Sequence, residues 1–413
     1  MVSLGKLTAG HVTYYEREIA DGAEDYYAMR GEAQGQWIGS GAERLGLEGT
    51  ATSGQLRDLL EGRDPATGAS LRSRAVHVTA WDVTFSPPKS VSVMHAAGDP
   101  RIADETIAAH RAAVRSAVAY LESEACWTRR GASGSRRLVG EGFAAIEYVH
   151  RLSRAGDAQL HSHVIIANTT RAEGRWTTLD ARPLFAHLKT ASALYHADLR
   201  HEMTRRLGVE WEPVAPGKLA AEIAGIPRAV LRDQSRRRKE IVERMEDRGD
   251  SSPAAAQAAA LDTRKAKDYT VDRHDIAREL SHRIASKGLD SAQLTRVVDR
   301  HQHERPTNEE LVHTSRQLLG PAGITEHRST FSRREAIQHW ATAQRRGASA
   351  EQIVRIADHW LDDPEIVALE PKAAVNSDTE GQREGTGTQC RGDLRYSTSS
   401  LIPPRRAAGR SAL

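Results

Sequence analysis

Gln159-Leu160-His161-Ser162-His163-Val164-Ile165-Ile166-Ala167-Asn168 decides how this chain is read. The apolar, β-branched run after the histidines predicts a strand, in which side chains alternate faces and each residue advances about 3.3 Å. His161 and His163 therefore share one face, with backbones about 6.6 Å apart, close enough for the ring tips to grip a single metal ion. Upstream, Phe143-Ala144-Ala145-Ile146-Glu147-Tyr148-Val149-His150 reads as a second strand, and the polar turn around Arg154-Ala155-Gly156-Asp157 joins the two runs as a hairpin. That pairing brings His150 towards His161 and His163 as a third ligand. A lone strand histidine is usually structural, but three on paired strands favour a metal site.

Working outward, residues 76–85 alternate as another strand, with Trp81, Val83 and Phe85 on one face and Asp82 and Thr84 on the other. Strands are depleted in Asp, so Asp82 needs a partner or a task. The stretch Ser86-Pro87-Pro88-Lys89-Ser90-Val91-Ser92 breaks that strand. Lys89 is expected in solvent, with a phosphate contact as the less common option. Apolar positions at helical spacing predict long helices over 101–125 and 183–207, the second stopped by Gly208. Residues 53–60 form a short capped helix, and residues 1–12 a short first strand. The Gly-rich stretch 31–50 is expected to be a loop. So is the basic run Arg129-Arg130-Gly131-Ala132-Ser133-Gly134-Ser135-Arg136-Arg137, whose arginines suit solvent or DNA phosphates equally. The sum is an α+β fold, a sheet with helices on one face.

Beyond Pro213 the predicted helices become highly charged. Residues 226–248 carry Arg236-Arg237-Arg238-Lys239, expected on an exposed helix whose basic run is a candidate track for a nucleic-acid backbone but more often a solvated face. Shorter helices are expected over 254–262, 275–287 and 291–300. Residues 376–395 lack periodicity and, with the terminus, are expected to be disordered.

Of nine tyrosines, four fall in two adjacent pairs near the N-terminus, Tyr14-Tyr15 and Tyr26-Tyr27. The 413 residues carry 27% charged residues and a net charge of +3, a mild basic bias compatible with nucleic acid. Two cysteines, Cys126 and Cys390, exclude a disulfide scaffold and a thiolate metal cluster. The absence of a 20-residue apolar span or a signal peptide makes a soluble cytoplasmic protein the expectation.

A phenol of pKa about 10 is a poor nucleophile until a base or metal favours the phenolate. A three-histidine metal leaves positions for phosphate oxygens, so a tyrosine attacking a phosphodiester there would give a phosphotyrosine and a free sugar hydroxyl. Asp82 would orient a histidine or accept the tyrosine proton. Imidazole donors suit Zn²⁺, Ni²⁺ or Mn²⁺ and phosphoryl chemistry adds Mg²⁺, so the donor set selects none of the four.

The tyrosine pairs, Asp82 in Trp81-Asp82-Val83-Thr84-Phe85-Ser86-Pro87-Pro88-Lys89-Ser90, and His150 with Gln159-Leu160-His161-Ser162-His163 together resemble a conjugative relaxase of the MobF type. That family belongs to the His-hydrophobe-His endonucleases, although here Ser162 stands between the histidines. The resemblance covers about residues 1–300. It implies an antiparallel-sheet palm flanked by helices and closed over DNA by a helical C-terminal segment. It also implies nicking of one strand at a plasmid transfer origin, with a 5′-phosphotyrosyl link, and the relaxosome accessory proteins and coupling protein as further partners. By the same resemblance Tyr14 is the first nucleophile, Tyr26 the second, and Tyr15 and Tyr27 are supporting. His150, His161 and His163 are the ligands of a divalent metal ion, and Asp82 is the activating or orienting carboxylate.

Such relaxases continue into a helicase, and His327-Arg328-Ser329-Thr330-Phe331-Ser332-Arg333-Arg334-Glu335-Ala336 resembles the start of one. Residues 301–370 are thus expected to be the helical start of an incomplete helicase-like region, followed by a disordered tail over 371–413. No Gly-x-x-x-x-Gly-Lys-Ser/Thr phosphate loop occurs, so ATP-driven unwinding is not expected and an interrupted relaxase is the preferred reading. The alternatives are a catalytically idle origin-binding remnant, or an unrelated metalloenzyme acting on a small molecule, which leaves the tyrosine pairs unexplained.

Overall fold

The computed structural model describes residues 1–8, 35–153, 155–250, 273–300, 306–369 and 394–398, together with residues 252, 255, 258, 259 and 262. Both tyrosine pairs, Tyr14-Tyr15 and Tyr26-Tyr27, lie outside the described residues, as do most of the expected helix over 254–262 and most of the tail.

The N-terminal part is built on strands β1 (Val2–Thr8), β2 (Gln36–Ile38), β3 (Val78–Phe85), β6 (Ala145–Leu152) and β7 (Ala158–Ala167). They form one antiparallel sheet in the order β1-β3-β7-β6-β2, so the histidine strand β7 is central and β1 and β2 are the two edges. Between these strands lie helices α1 (Ser40–Arg44), α2 (Ser53–Glu61), α3 (Lys89–Ala97) and α4 (Pro100–Ala125), and a ribbon of β4 (Trp127–Arg130) and β5 (Arg136–Val139). A hairpin of β8 (Thr170–Ala172) and β9 (Arg175–Thr177) leads into helix α5 (Arg182–Leu207).

Local chemistry sets the helix ends. Asp99 accepts the Ile102 N–H with Pro100 just inside α4, and Gly208 ends α5 at φ 58°, a left-handed position open to glycine. In α2 the Thr52 hydroxyl accepts the Gln55 N–H while the Gln55 side chain accepts the Thr52 N–H.

The two long helices cover one face of the sheet. Val83 and Phe85 of β3 and Leu160, Val164 and Ile166 of β7 pack there with Val114, Val118, Leu121, Leu194 and Tyr195. Each such side chain contributes about 1.5–3 kcal/mol on burial. The opposite face carries a smaller cluster in which Leu7, Ala80, Ile146, Ile165 and Ala167 meet Trp37 and the α2 leucines Leu56, Leu59 and Leu60. The expected one-sided helix layer thus holds for the long helices, while α1 and α2 sit on the other side.

Several local expectations are corrected. The stretch 31–50, expected as a loop, supplies β2 and α1: Trp37 is buried against the sheet and the Gly41 and Ala42 N–H groups close onto the Phe143 carbonyl. The basic stretch 129–137 is a loop only over 131–135, and its ends belong to the β4-β5 ribbon. Its arginines are partnered, Arg129 by Asp180, Arg130 and Arg136 by Glu173, and Arg137 by the Trp127 ring at 3.9 Å. The single helix expected over 226–248 is two, α6 (Arg228–Asp233) and α7 (Arg236–Asp247). These are followed by α8 (Arg273–Ser286), α9 (Ser291–Thr295) and α10 (Asn308–Leu319).

The C-terminal described residues are not purely helical. β10 (Phe331–Ser332), α11 (Arg333–Ala343), α12 (Ala350–Trp360), β11 (Ile366–Leu369) and β12 (Arg395–Thr398) form a unit whose three-stranded sheet runs β10-β12-β11. Four residues of the expected disordered tail are thus its middle strand, because Tyr396 is buried against Phe331. This unit docks on α4 and α5 through the buried Arg200, which donates to the Ala341 and Gln344 carbonyls, and through Arg333, which pairs with Glu124 and Asp358. Among the described residues no helix is long and apolar enough to cross a membrane.

Candidate metal centre

The hairpin of β6 and β7 places His150 directly opposite His161 and Tyr148 opposite His163. On the other flank of β7, Thr84 of β3 stands opposite His163 and Asp82 opposite Ile165. Directly opposed residues share a face, so the three histidines and Asp82 meet on the face that α4 and α5 leave uncovered.

The three imidazole rings make a nearly equilateral triangle. Their centroids are 5.1 Å apart for His150 and His161, 5.3 Å for His150 and His163, and 5.3 Å for His161 and His163. Three rings bound to one tetrahedral ion, with metal–nitrogen distances of about 2.0–2.1 Å, would hold their centroids about 5.2 Å apart. The spacing fits one shared ion.

Hydrogen bonds select the nitrogens left for a metal. His161 Nδ1–H donates to the Gln159 carbonyl at 2.8 Å, and His163 Nδ1–H donates to both Asp82 oxygens at 3.0 and 2.8 Å. In each ring the Nε2 lone pair then remains for coordination. This is the carboxylate–histidine–metal arrangement that fixes ring orientation and raises ligand basicity. Thr84 Oγ1 donates to Asp82 at 3.3 Å and holds the carboxylate in place. Burial, reinforced by the neighbouring His163, pulls the His161 pKa down to about 4, so this ring is neutral at physiological pH. Burial also acts downward on His163, but the charge and hydrogen bonds of Asp82 outweigh it and raise its pKa.

The residue between the two histidines has the opposite fate. Ser162 is fully buried on the helix-covered face, where its hydroxyl donates to Glu147 Oε1 at 2.9 Å and accepts from His110 Nε2–H at 2.8 Å. His110 Nδ1 accepts from the Tyr195 hydroxyl at 2.9 Å. A polar side chain fits here because three further polar groups satisfy it.

Sequence reasoning missed Lys89. Instead of lying in solvent it is half-buried at the first position of α3, donating to the Ala158 carbonyl at 2.8 Å and Gln159 Oε1 at 2.6 Å. Burial pulls its pKa down to about 8. The signal was the Pro87-Pro88 break, after which Lys89 opens helix α3 with Pro88 at its N-cap instead of sitting in a free turn. The run Arg236-Arg237-Arg238-Lys239 is likewise only partly a solvated face, since Arg236 pairs with the buried Asp157 at 2.7 Å. A second group with metal-ligand chemistry, Asp198, His201 and Glu202 on α5, has ligand atoms within 4.8 Å of one another. Glu202 already accepts from Arg205 and Arg206, at 2.6 and 2.8 Å, and two guanidinium groups oppose a bound cation, so this cluster reads as an ion-pair network.

A palm of antiparallel strands with three histidines and an aspartate on its open face, backed by two long helices, defines the relaxase class of metal-binding domains. The chain belongs to the TrwC relaxase family, whose model matches residues 8–287. It is similar to the multifunctional conjugation protein TraI of Escherichia coli, 34% identical over 282 residues, and to that of strain K12, 33% identical over the same length. The match covers 65% of this chain and 15% of each relative, so the aligned part spans about one seventh of the curated relatives' length. Solved structures agree. The conjugative relaxase TrwC in complex with oriT DNA in a copper-bound form matches with TM-score 0.63 at 30% identity, covering 70% of this chain and all of that one. TrwC complexed with a 27-mer DNA comprising the recognition hairpin and the cleavage site matches with TM-score 0.60 at 29% identity, with the same coverage.

Proposed function

We propose that this chain is a conjugative relaxase that nicks one DNA strand at a plasmid transfer origin by tyrosine transesterification. The observation that carries the reading is the triangle of His150, His161 and His163, with His163 held by Asp82, in a family whose solved members are bound to oriT DNA. His150, His161 and His163 would hold a divalent ion, which when bound supplies charge neutralisation and polarisation at the scissile phosphorus. The Tyr14 oxygen would give up its proton and attack phosphorus, the bond to the 3′ oxygen breaks and that oxygen leaves as a free 3′ hydroxyl, and the phosphate, still esterified to the 5′ oxygen, joins the 5′ end to tyrosine. Tyr26 serves a second transfer, and Tyr15 and Tyr27 support the pair. Asp82 would act by orientation: both its oxygens lie on His163 Nδ1, so it fixes that ring and leaves Nε2 as the nitrogen that would hold an ion.

Residues 1–300 form the strand-transfer domain, and residues 301–370 begin a helicase-like region. The helices after Pro213 close over DNA, and relaxosome accessory proteins and a coupling protein are the partners in the cytoplasm. A denaturing gel of the purified chain with single-stranded origin oligonucleotide and Mn²⁺ tests the reading. A protein–DNA adduct at the 5′ end of the cleaved product, lost in Tyr14→Phe, is expected. Tight origin binding with no adduct under any divalent metal would replace it with the idle binding remnant.

A further inference from the structure

The three residues that lead into the histidine strand are held more firmly than a hairpin turn requires. Asp157, the residue before β7, is 1% exposed. Its carboxylate accepts from Arg236 Nε at 2.7 Å, from the Arg237 backbone N–H at 3.2 Å, and from Arg283 Nη2 at 3.3 Å. The Ala158 N–H donates to Gln234 Oε1 at 3.0 Å, and its carbonyl accepts from Lys89. The Gln159 side chain accepts from Lys89 as well, while the Gln159 backbone carbonyl accepts the Nδ1–H of His161. The next N–H, of Leu160, donates to Ser92 Oγ at 3.0 Å.

These contacts come from three separate places: the first turn of α3, the junction of α6 and α7, and the last turn of α8. They converge within four residues of His161, and their last link is the acceptor that sets which nitrogen of that ring is free. Closing a polar turn needs no carboxylate buried to 1% exposure with two guanidinium partners, and taking that charge out of water is costly unless such partners hold it. Charged groups with fixed directions do hold a backbone segment in one place. A displacement of the Gln159 carbonyl would release Nδ1–H and leave the His161 ring free to turn.

We propose that Asp157 and Lys89 are positioning residues for the metal centre. Through the 157–159 segment, the C-terminal helices α6, α7 and α8 set the orientation of His161. The proposal rests on the three-histidine reading. It makes metal affinity depend on arginines that belong to the charged helices and contact no ligand directly.

The test is titration of the full chain with Co²⁺, following its visible absorption, whose position and intensity report coordination geometry. Wild-type protein should give a spectrum that His163→Ala abolishes. Asp157→Asn keeps the size of the side chain and removes its charge. It is expected to weaken Co²⁺ binding on the order of tenfold, at the low end of what loss of a group supporting a ligand costs, and to alter the band. Lys89→Met and Arg283→Met should act in the same direction, and they carry the test if Asp157→Asn fails to fold. Asp180→Asn is the control. Asp180 is also ion-paired, to Arg129 and Arg182, so its loss should lower thermal stability while leaving the Co²⁺ spectrum and affinity unchanged. Wild-type Co²⁺ affinity and spectrum in folded Asp157→Asn and Lys89→Met would overturn the positioning role. A wild-type protein with no His163-dependent spectrum would overturn the three-histidine reading beneath it.

Discussion

The two faces of β7 make opposite use of the same kind of residue. On the open face, the Nδ1 atoms of His161 and His163 are tied to the Gln159 carbonyl and Asp82, and among the described residues no hydrogen bond falls on their Nε2 atoms. On the covered face, Ser162 and His110 spend all their polar capacity on one another, Glu147 and Tyr195. A buried imidazole alone therefore says little about chemistry. What distinguishes the faces is whether the hydrogen-bond chain is closed, as around His110, or stops at a lone pair, as at His161 and His163.

The largest expected effect falls on the open face. His163→Ala should reduce divalent-metal affinity beyond the 10–100-fold that loss of an orienting group costs, measured by isothermal titration, and should also lower the thermal midpoint of the metal-free protein, because the buried Asp82 loses its imidazole partner. Asp82→Asn should cost 10–100-fold in the same titration, because an amide neither holds the His163 tautomer nor raises its basicity as a carboxylate does. Equal affinities in Asp82→Asn and wild type would remove the orienting role.

Acid sharpens the comparison by acting on both faces. Burial holds His110 at about 3 and His161 and His187 at about 4, below the ordinary 6.5. Below pH 6.5 the unfolded chain takes up protons at these rings that the folded chain refuses. Their stabilising contribution is complete above pH 6.5 and is lost as pH falls towards 4, at up to about 1.4 kcal/mol per pH unit for each ring. His163, with a raised value, has the opposite sign: its contribution is lost as pH rises through its folded pKa. Burial lowers His196 and His339 as well, so five rings against one predict that the urea midpoint of the metal-free protein falls between pH 6.5 and 4, and a flat profile would show that the rings are not desolvated. The smallest effect belongs to the covered face. Ser162→Ala leaves His110 and Glu147 each short of a partner and should cost about 1–3 kcal/mol in urea unfolding without changing metal affinity. A loss of metal affinity in that variant would mean that the two faces are not independent.

Most of the open face was legible in the sequence because a strand converts residue parity into geometry. The spacing of His161 and His163 and the oddity of Asp82 within β3 were enough to set them on one side, and the hairpin turn delivered His150. The covered face was not legible, since nothing in the sequence says that Ser162 meets His110, 52 residues away. Lys89 and Arg236 were misread for a related reason. Long cationic side chains look solvated in any linear pattern, and their partners, the Ala158 carbonyl and Asp157, are 69 and 79 residues distant. Trp37 in the Gly-rich stretch 31–50 was hidden because β2 is only three residues long, too short for alternation to register.

The order of the sheet has a kinetic consequence. The sequence carrying Tyr14, Tyr15, Tyr26 and Tyr27 lies between one edge strand, β1, and the other, β2, which β3, β7 and β6 separate in the sheet. The two edges lie about 19 Å apart across the sheet, four interstrand spacings. Under the proposed function the nucleophile belongs to the same molecule as the metal centre, so its arrival at the phosphate would be a first-order event, independent of protein concentration. Cutting the chain at either edge strand would leave the tyrosines joined to the sheet at one end only, and strand joining, followed on a denaturing gel, is then expected to slow before nicking does.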